Sequence, residues 1–195
     1  MNQELQLLFQ QHGGYLVRRL LPDKPTYNQL LQLVKAGVVE RLKQGVYHYA
    51  GDGDVNRTMI NLEAVMPGGV LCMYSAWAYY GLSTQIPQAF NVAIEKNRKI
   101  SLPAYPPITL YYWKREYQEL GVVSQEIEGY TVRIYHPEKS VCDAVKFRLK
   151  IGLDVTAEIL NSYLKRKDRN LALLMEYARM MRIERVMRTY LETRV

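Results

Sequence analysis

The chain has 195 residues, 48% of them hydrophobic and 23% charged, with 26 Lys and Arg against 19 Asp and Glu for a net charge of +7. This composition excludes wholesale disorder, and the length allows one ordinary domain or a small module of about fifty residues joined to a larger one. Two widely separated cysteines, Cys72 and Cys142, exclude a disulfide scaffold, and residues 1–11 lack the basic start of a signal peptide, so the expected compartment is the cytoplasm.

Leu5, Leu8 and Phe9 stand at helical spacing, and His12-Gly13-Gly14 stops that helix. Tyr15-Leu16 reads as a short extended link into a second short helix over 17–21, which Pro22 and Pro25 end. Thr26 is the expected N-cap of a third helix running to Ala36, with Leu30, Leu31 and Val34 inward and Gly37 closing it. Residues 38–42 and 46–49, joined by Lys43-Gln44-Gly45, read as a β-hairpin. Three helices and a hairpin predict a winged helix-turn-helix over residues 1–50.

The chemistry of such a module lies on its third helix, whose outward positions are Tyr27, Asn28, Gln29, Gln32 and Lys35. Asn and Gln pair bidentately with an adenine edge in the major groove, and Lys reaches guanine or phosphate. The cap Thr26 opens that helix, so Asn28 and Gln29 are expected in its first turn. Arg18 and Arg19 on the second helix, with Arg41 and Lys43 on the wing, are expected to grip phosphates of double-stranded DNA. The alternative is a winged helix used for protein contact or sensing, with these groups solvated, because residues 1–53 carry a net charge of only +2.

Gly51-Asp52-Gly53 reads as a joint, after which Asp54 caps a helix carrying Val55, Met59, Leu62 and Met66. Residues 64–94 contain no charge, yet Pro67-Gly68-Gly69 and Ser83-Thr84-Gln85 interrupt them, leaving 70–82 as a buried element too short to cross a membrane. Residues 70–73, 90–94, 108–113 and 130–135 read as strands, and Ser75 is the expected cap of a short apolar helix ending at Gly81. Pro137 starts a helix that runs to Gly152, Asp154 is the expected cap of the next, and two more follow over about 170–180 and 183–193. The expected fold class is therefore α+β: the N-terminal winged helix-turn-helix, then a mixed α/β domain over 54–195 ending in a helical bundle.

No catalytic constellation stands out. His12, His48 and His136 are scattered, no Cys or His pair has zinc spacing, and Gly68-Gly69 lacks the Lys of a phosphate loop. Cys142 reads as a buried structural thiol, the carboxylates Glu126 and Glu128 as solvated beside a turn, and the many tyrosines as core packing. The expectation is no enzyme, no metal and no cofactor. The better functional feature is basic: residues 141–195 carry a net charge of +5. Arg179, Arg182, Arg185 and Arg188 recur every third residue, and would cover one half-cylinder if a single helix carried them. Lys165, Arg166, Lys167 and Arg169 precede them. A surface for phosphate or an acidic partner competes here with a merely solvated face, given Glu176 and Glu184.

In that order and spacing, several segments carry a family likeness. They are Gly13-Gly14-Tyr15, Arg41-Leu42-Lys43-Gln44-Gly45-Val46-Tyr47, and Tyr74-Ser75-Ala76-Trp77-Ala78-Tyr79-Tyr80-Gly81-Leu82 with Pro87 after it. Pro137-Glu138-Lys139-Ser140-Val141-Cys142-Asp143, the block from Lys146 to Val155, and Tyr177-Ala178-Arg179 through Leu191 complete the set. Together they make the chain resemble the AbiEi-type antitoxins, the regulatory half of the AbiE (type IV) abortive-infection toxin–antitoxin systems of bacteria. It departs at Tyr80, where relatives often place His. The resemblance implies a winged helix that represses its own operon at inverted repeats. It also implies a C-terminal antitoxin domain that counteracts a nucleotidyltransferase-like toxin without a stable complex.

Overall fold

Leu5 and Phe9 lie one turn apart on α1 (Gln3–Gln11), which Asn2 caps by accepting the Leu5 N–H, and both are buried. In the computed structural model, which describes residues 1–50 and 58–192, α1 leads into β1 (Tyr15–Val17) and a single 3₁₀ turn, Arg18–Leu20. Helix α2 (Lys24–Lys35) follows, then β2 (Glu40–Lys43) and β3 (Val46–His48). The three strands form one antiparallel sheet in the order β1-β3-β2. Leu5, Phe9, Leu16, Leu30, Val39 and Tyr47 make its core. The expected second helix is thus one 3₁₀ turn. Lys43 belongs to the strand rather than the turn, beside a register shift between Arg41 and Lys43.

The predicted start of α2 is corrected. Asp23, not Thr26, is the N-cap: its carboxylate accepts the Thr26 N–H at 2.8 Å. Pro25 does not end the preceding segment but sits in the first turn, where a missing N–H costs nothing. Thr26 becomes a buried third-position residue with its hydroxyl 3.5 Å from Glu4, and Asn28 and Gln29 move into the second turn.

The joint at Gly51-Asp52-Gly53, the Asp54 cap and Val55 lie outside the described residues. Residues 58–61 are irregular rather than helical, and only α3 (Leu62–Val65) forms there, capped by Asn61. Beyond it come β4 (Val70–Leu71), α4 (Met73–Tyr79), β5 (Phe90–Glu95), β6 (Ile108–Trp113), the short α5 (Arg115–Gln118), β7 (Val122–Ile127) and β8 (Tyr130–Tyr135). These five strands form a mixed sheet in the order β6-β5-β4-β8-β7. β4 runs antiparallel to β5 and parallel to β8, and β5 runs parallel to β6. Helices α6 (Pro137–Ile151), α7 (Leu153–Leu164), α8 (Leu171–Met180) and α9 (Glu184–Glu192) complete the chain. The protein is therefore α+β: an N-terminal α/β part with a small antiparallel sheet, a mixed five-stranded sheet and a C-terminal helical segment. Two further caps differ from expectation. Cys72 precedes α4, while the Ser75 hydroxyl accepts the Asn91 N–H instead; Gly152 precedes α7, with Asp154 in its first turn.

Residues 1–69, 99–107 and 125–132 form one compact unit, and 70–98, 108–124 and 133–195 the other. Within the first, the turn between β7 and β8 holds the chain in two places. Glu128 accepts the N–H groups of Thr58 and Met59 at 2.8 Å each and the Thr58 hydroxyl at 2.7 Å, so this carboxylate is engaged rather than merely solvated. The Tyr130 hydroxyl donates to the Gly13 carbonyl at 2.8 Å, and its ring meets Tyr15 edge-on. Gly13 has φ +60°, and a Cβ there would lie 2.7 Å from the Tyr130 ring. Gly13→Ala is expected to cost about 1–2 kcal/mol for the left-handed backbone and more for the clash. Gly37→Ala, at φ +71° in open space, should carry the backbone cost alone, and urea denaturation of both variants checks the difference.

The core of the second unit is larger, running from Val70, Met73 and Trp77 through Trp113 and Tyr135 to Met187. Among the described residues no helix is long and apolar enough to cross a membrane.

Candidate nucleic-acid interface

On α2, Asn28, Gln32 and Lys35 recur at the i, i+4, i+7 spacing that shares one helix face, and all three are exposed. Gln29 is exposed beside them, but its side-chain oxygen accepts from the Asn2 amide at 2.5 Å, which leaves its own amide hydrogens to donate. Thr26 drops out of the candidate set, because it is buried against α1. Hydrogen bonds from the Thr26 hydroxyl and backbone hold the Asp23 carboxyl below the ordinary aspartate range. An ionised cap at the N-terminal end of α2 favours the helix.

Arg18 and Arg19 are exposed on the 3₁₀ turn. The Arg18 N–H donates to the Gly45 carbonyl at 2.9 Å, and its guanidinium lies 4.4 Å from the Tyr27 ring centroid. The β2–β3 turn and α2 therefore hold this arginine between them. Arg41 is exposed on β2, directly opposite Tyr47 of β3. The Tyr27 and Tyr47 hydroxyls are 3.3 Å apart. Burial, then the Tyr27 hydrogen bond, pushes the Tyr47 phenol up to about 12, while Arg41 and Arg18 pull it down. Lys43 is half-buried and donates to the Ser101 carbonyl at 3.1 Å, so the expected phosphate group of the wing tip is engaged within its own unit.

The basic residues of the C-terminal segment divide differently from expectation. Arg182 has φ +58° in the turn between α8 and α9, so helical geometry does not persist across the arginine series. Arg179 and Arg188 both pair with Glu184, at 3.3 and 2.8 Å, and hold its carboxyl below the usual range, Arg188 the more strongly. Arg182 and Arg185 are exposed. In the preceding turn, Arg166 grips Asp168 with two bonds and donates to the Tyr80 carbonyl, and Arg169 donates to the Arg166 carbonyl at 2.9 Å. Lys165 and Lys167 are exposed. Carboxylates thus match Arg166, Arg179 and Arg188, while Lys165, Lys167, Arg169, Arg182 and Arg185 have no ion pair among the described residues.

Inside the second unit lies a polar cluster that sequence periodicity missed. Lys139 and Asp143 on α6 are fully buried and paired at 2.6 Å, with the Lys139 ammonium 4.0 Å from the Tyr135 ring centroid and 4.7 Å from that of Trp113. Burial pushes the Asp143 carboxyl up, and Lys139 pulls it back. Buried Glu138 accepts the Tyr163 hydroxyl at 2.8 Å and the Asn170 N–H at 3.0 Å, and contacts the His136 imidazole. Both cysteines are buried, with burial pushing their thiols well up, so neither is poised as a nucleophile. Among the described residues no three His, Cys, Asp or Glu side chains gather to hold a metal. The groups of this cluster are bonded to one another, and the exposed face of α2 with the β2–β3 hairpin is the better functional candidate.

No protein-family model matches the chain, and no curated protein matches it either.

Proposed function

We propose that the chain is a DNA-binding autorepressor and antitoxin of the AbiEi type, acting in the cytoplasm. Its first fifty residues are a winged helix-turn-helix on this reading, and residues 54–195 counteract a nucleotidyltransferase-like toxin encoded beside it. The observation that carries the DNA half is a single exposed face, Asn28, Gln32 and Lys35 on α2, with the exposed Arg18 stacked on Tyr27 of the same helix and the exposed Arg41 on the neighbouring hairpin. The element order from α1 to β3 and the strand order β1-β3-β2 support the winged helix. The antitoxin half is supported by the resemblance, and no catalytic step is part of the reading.

The test is binding of the full chain to a duplex carrying the inverted repeat upstream of its own reading frame, against a scrambled duplex. Asn28→Ala and Gln32→Ala are expected to weaken the operator alone by about 5- to 150-fold, the range of one bidentate base contact, with an unaltered salt slope. Equal losses on both duplexes, or none, would reject sequence reading by α2. Co-expression with the neighbouring frame, scored as growth rescue, tests the antitoxin half.

A further inference from the structure

Two tyrosine hydroxyls 3.3 Å apart share one hydrogen bond but own two protons. Tyr47 is 1% exposed, and among the described residues its hydroxyl has no other hydrogen-bond partner. A buried hydroxyl that keeps its proton undonated is penalised, so Tyr47 donates and the Tyr27 oxygen accepts. The Tyr27 proton is then left for an acceptor outside the fold, and Tyr27 is the more exposed of the two rings. The charges beside it define that acceptor. Arg18 is stacked over the Tyr27 ring, fixed through its backbone to the wing turn, and Arg41 stands across the strand pair from Tyr47. Both guanidinium groups are near enough to pull the Tyr47 hydroxyl down, so both stand by the pair. Among the described residues neither arginine has a carboxylate partner.

We propose that one backbone phosphate of bound DNA sits between Arg18 and Arg41 and accepts the Tyr27 hydroxyl proton, with buried Tyr47 as the positioning residue that sets the direction of that donation. A phosphodiester has two non-bridging oxygens and one negative charge, which suits one neutral donor and two flanking cations. The inference rests on the DNA-binding reading above and adds to it an uncharged phosphate contact.

The full chain is titrated with operator and scrambled duplexes across a salt series. Tyr27→Phe keeps the ring under Arg18 and removes only the hydroxyl. It is expected to weaken both duplexes roughly tenfold, the size of one hydrogen bond to a charged group, with the salt slope unchanged because no charge is lost. Arg18→Ala is expected to lower the slope by about one. Tyr47→Phe retains the buried ring and should weaken binding less, with its effect vanishing in the Tyr27→Phe background. An effect that persists there would mean Tyr47 acts by packing and would overturn its orienting role. Binding by folded Tyr27→Phe equal to wild type would overturn the phosphate contact while leaving base reading by α2 intact. No binding of either duplex by the wild-type chain would remove both this inference and the DNA-binding reading.

Discussion

Asp143→Ala is expected to destabilise the protein by about 3–5 kcal/mol, because it strands the Lys139 ammonium in the interior. The pair has no water to fall back on: both side chains are fully buried, and the ammonium is boxed by the faces of Tyr135 and Trp113. Lys139→Met should cost less, because the Asp143 carboxyl is already pushed up by burial and takes a proton once its cation is gone. The sign of the pH dependence follows. A carboxyl whose folded value lies above its unfolded value binds its proton more readily in the fold, so stability rises as pH falls toward the ordinary aspartate range. The gap between Lys139→Met and wild type should therefore be narrower near pH 5 than near pH 8. Replacing both residues by apolar ones of similar volume is expected to be neutral or stabilising. Urea denaturation of the four proteins at the two pH values checks the set, and a Lys139→Met loss independent of pH would reject the proton uptake.

Trp77→Ala is expected to cost about 3–5 kcal/mol, the range for removing a large buried aromatic. The indole is fully buried, meets Tyr74 edge-on at 4.8 Å, and donates its N–H to the Ser140 carbonyl at 2.9 Å. It thus joins α4 to the first turn of α6 by packing and by one buried hydrogen bond. Trp77→Phe should cost less, losing the hydrogen bond that the Ser140 carbonyl accepts in addition to its own helix bond, about 0.5–1.5 kcal/mol beyond the packing change. Equal midpoints for Trp77→Phe and wild type in urea would mean that this second bond contributes nothing.

Where Pro and Gly bracket an element, its bounds were readable: Pro137 opens α6 and Gly152, at φ +101°, ends it. The runs that make β6 and β8 were readable from aromatic and β-branched residues alone. β7 was not, because Ser124, Gln125 and Glu126 dilute its second half and it lies toward the sheet edge, where no partner demands apolar residues on both faces. Four-residue α5 is too short for any period to show. Met59, Leu62 and Met66 have helical spacing and are buried, yet residues 58–61 are irregular, and a carboxylate some seventy positions later takes the Thr58 and Met59 N–H groups. The interior charges of α6 escaped for a related reason. Residues 138–145 are buried all round the helix, so no polar face marks which charges point to water.

The candidate interface was legible in residue type and less so in geometry. Asn28, Gln32, Lys35, Arg18 and Arg41 were found from their positions on a helix, a turn and a hairpin. Tyr47 was not, since only strand register puts it opposite Arg41 and within reach of Tyr27. Thr26 misled because a Thr after a Pro resembles a helix start, whereas Asp23 two residues before that Pro captures the cap.

The Glu128 and Tyr130 contacts have a consequence for the nascent chain. A ribosome making about 5–20 residues per second needs roughly 4–14 s to travel from Thr58 to Glu128, a separation of 70 residues. Throughout that interval Gly13, Tyr15 and Met59 have been synthesised without the side chains that cover and bond them. The amino-terminal unit thus reaches its final packing only after the β7–β8 turn emerges, and a chain broken off before residue 125 cannot complete it.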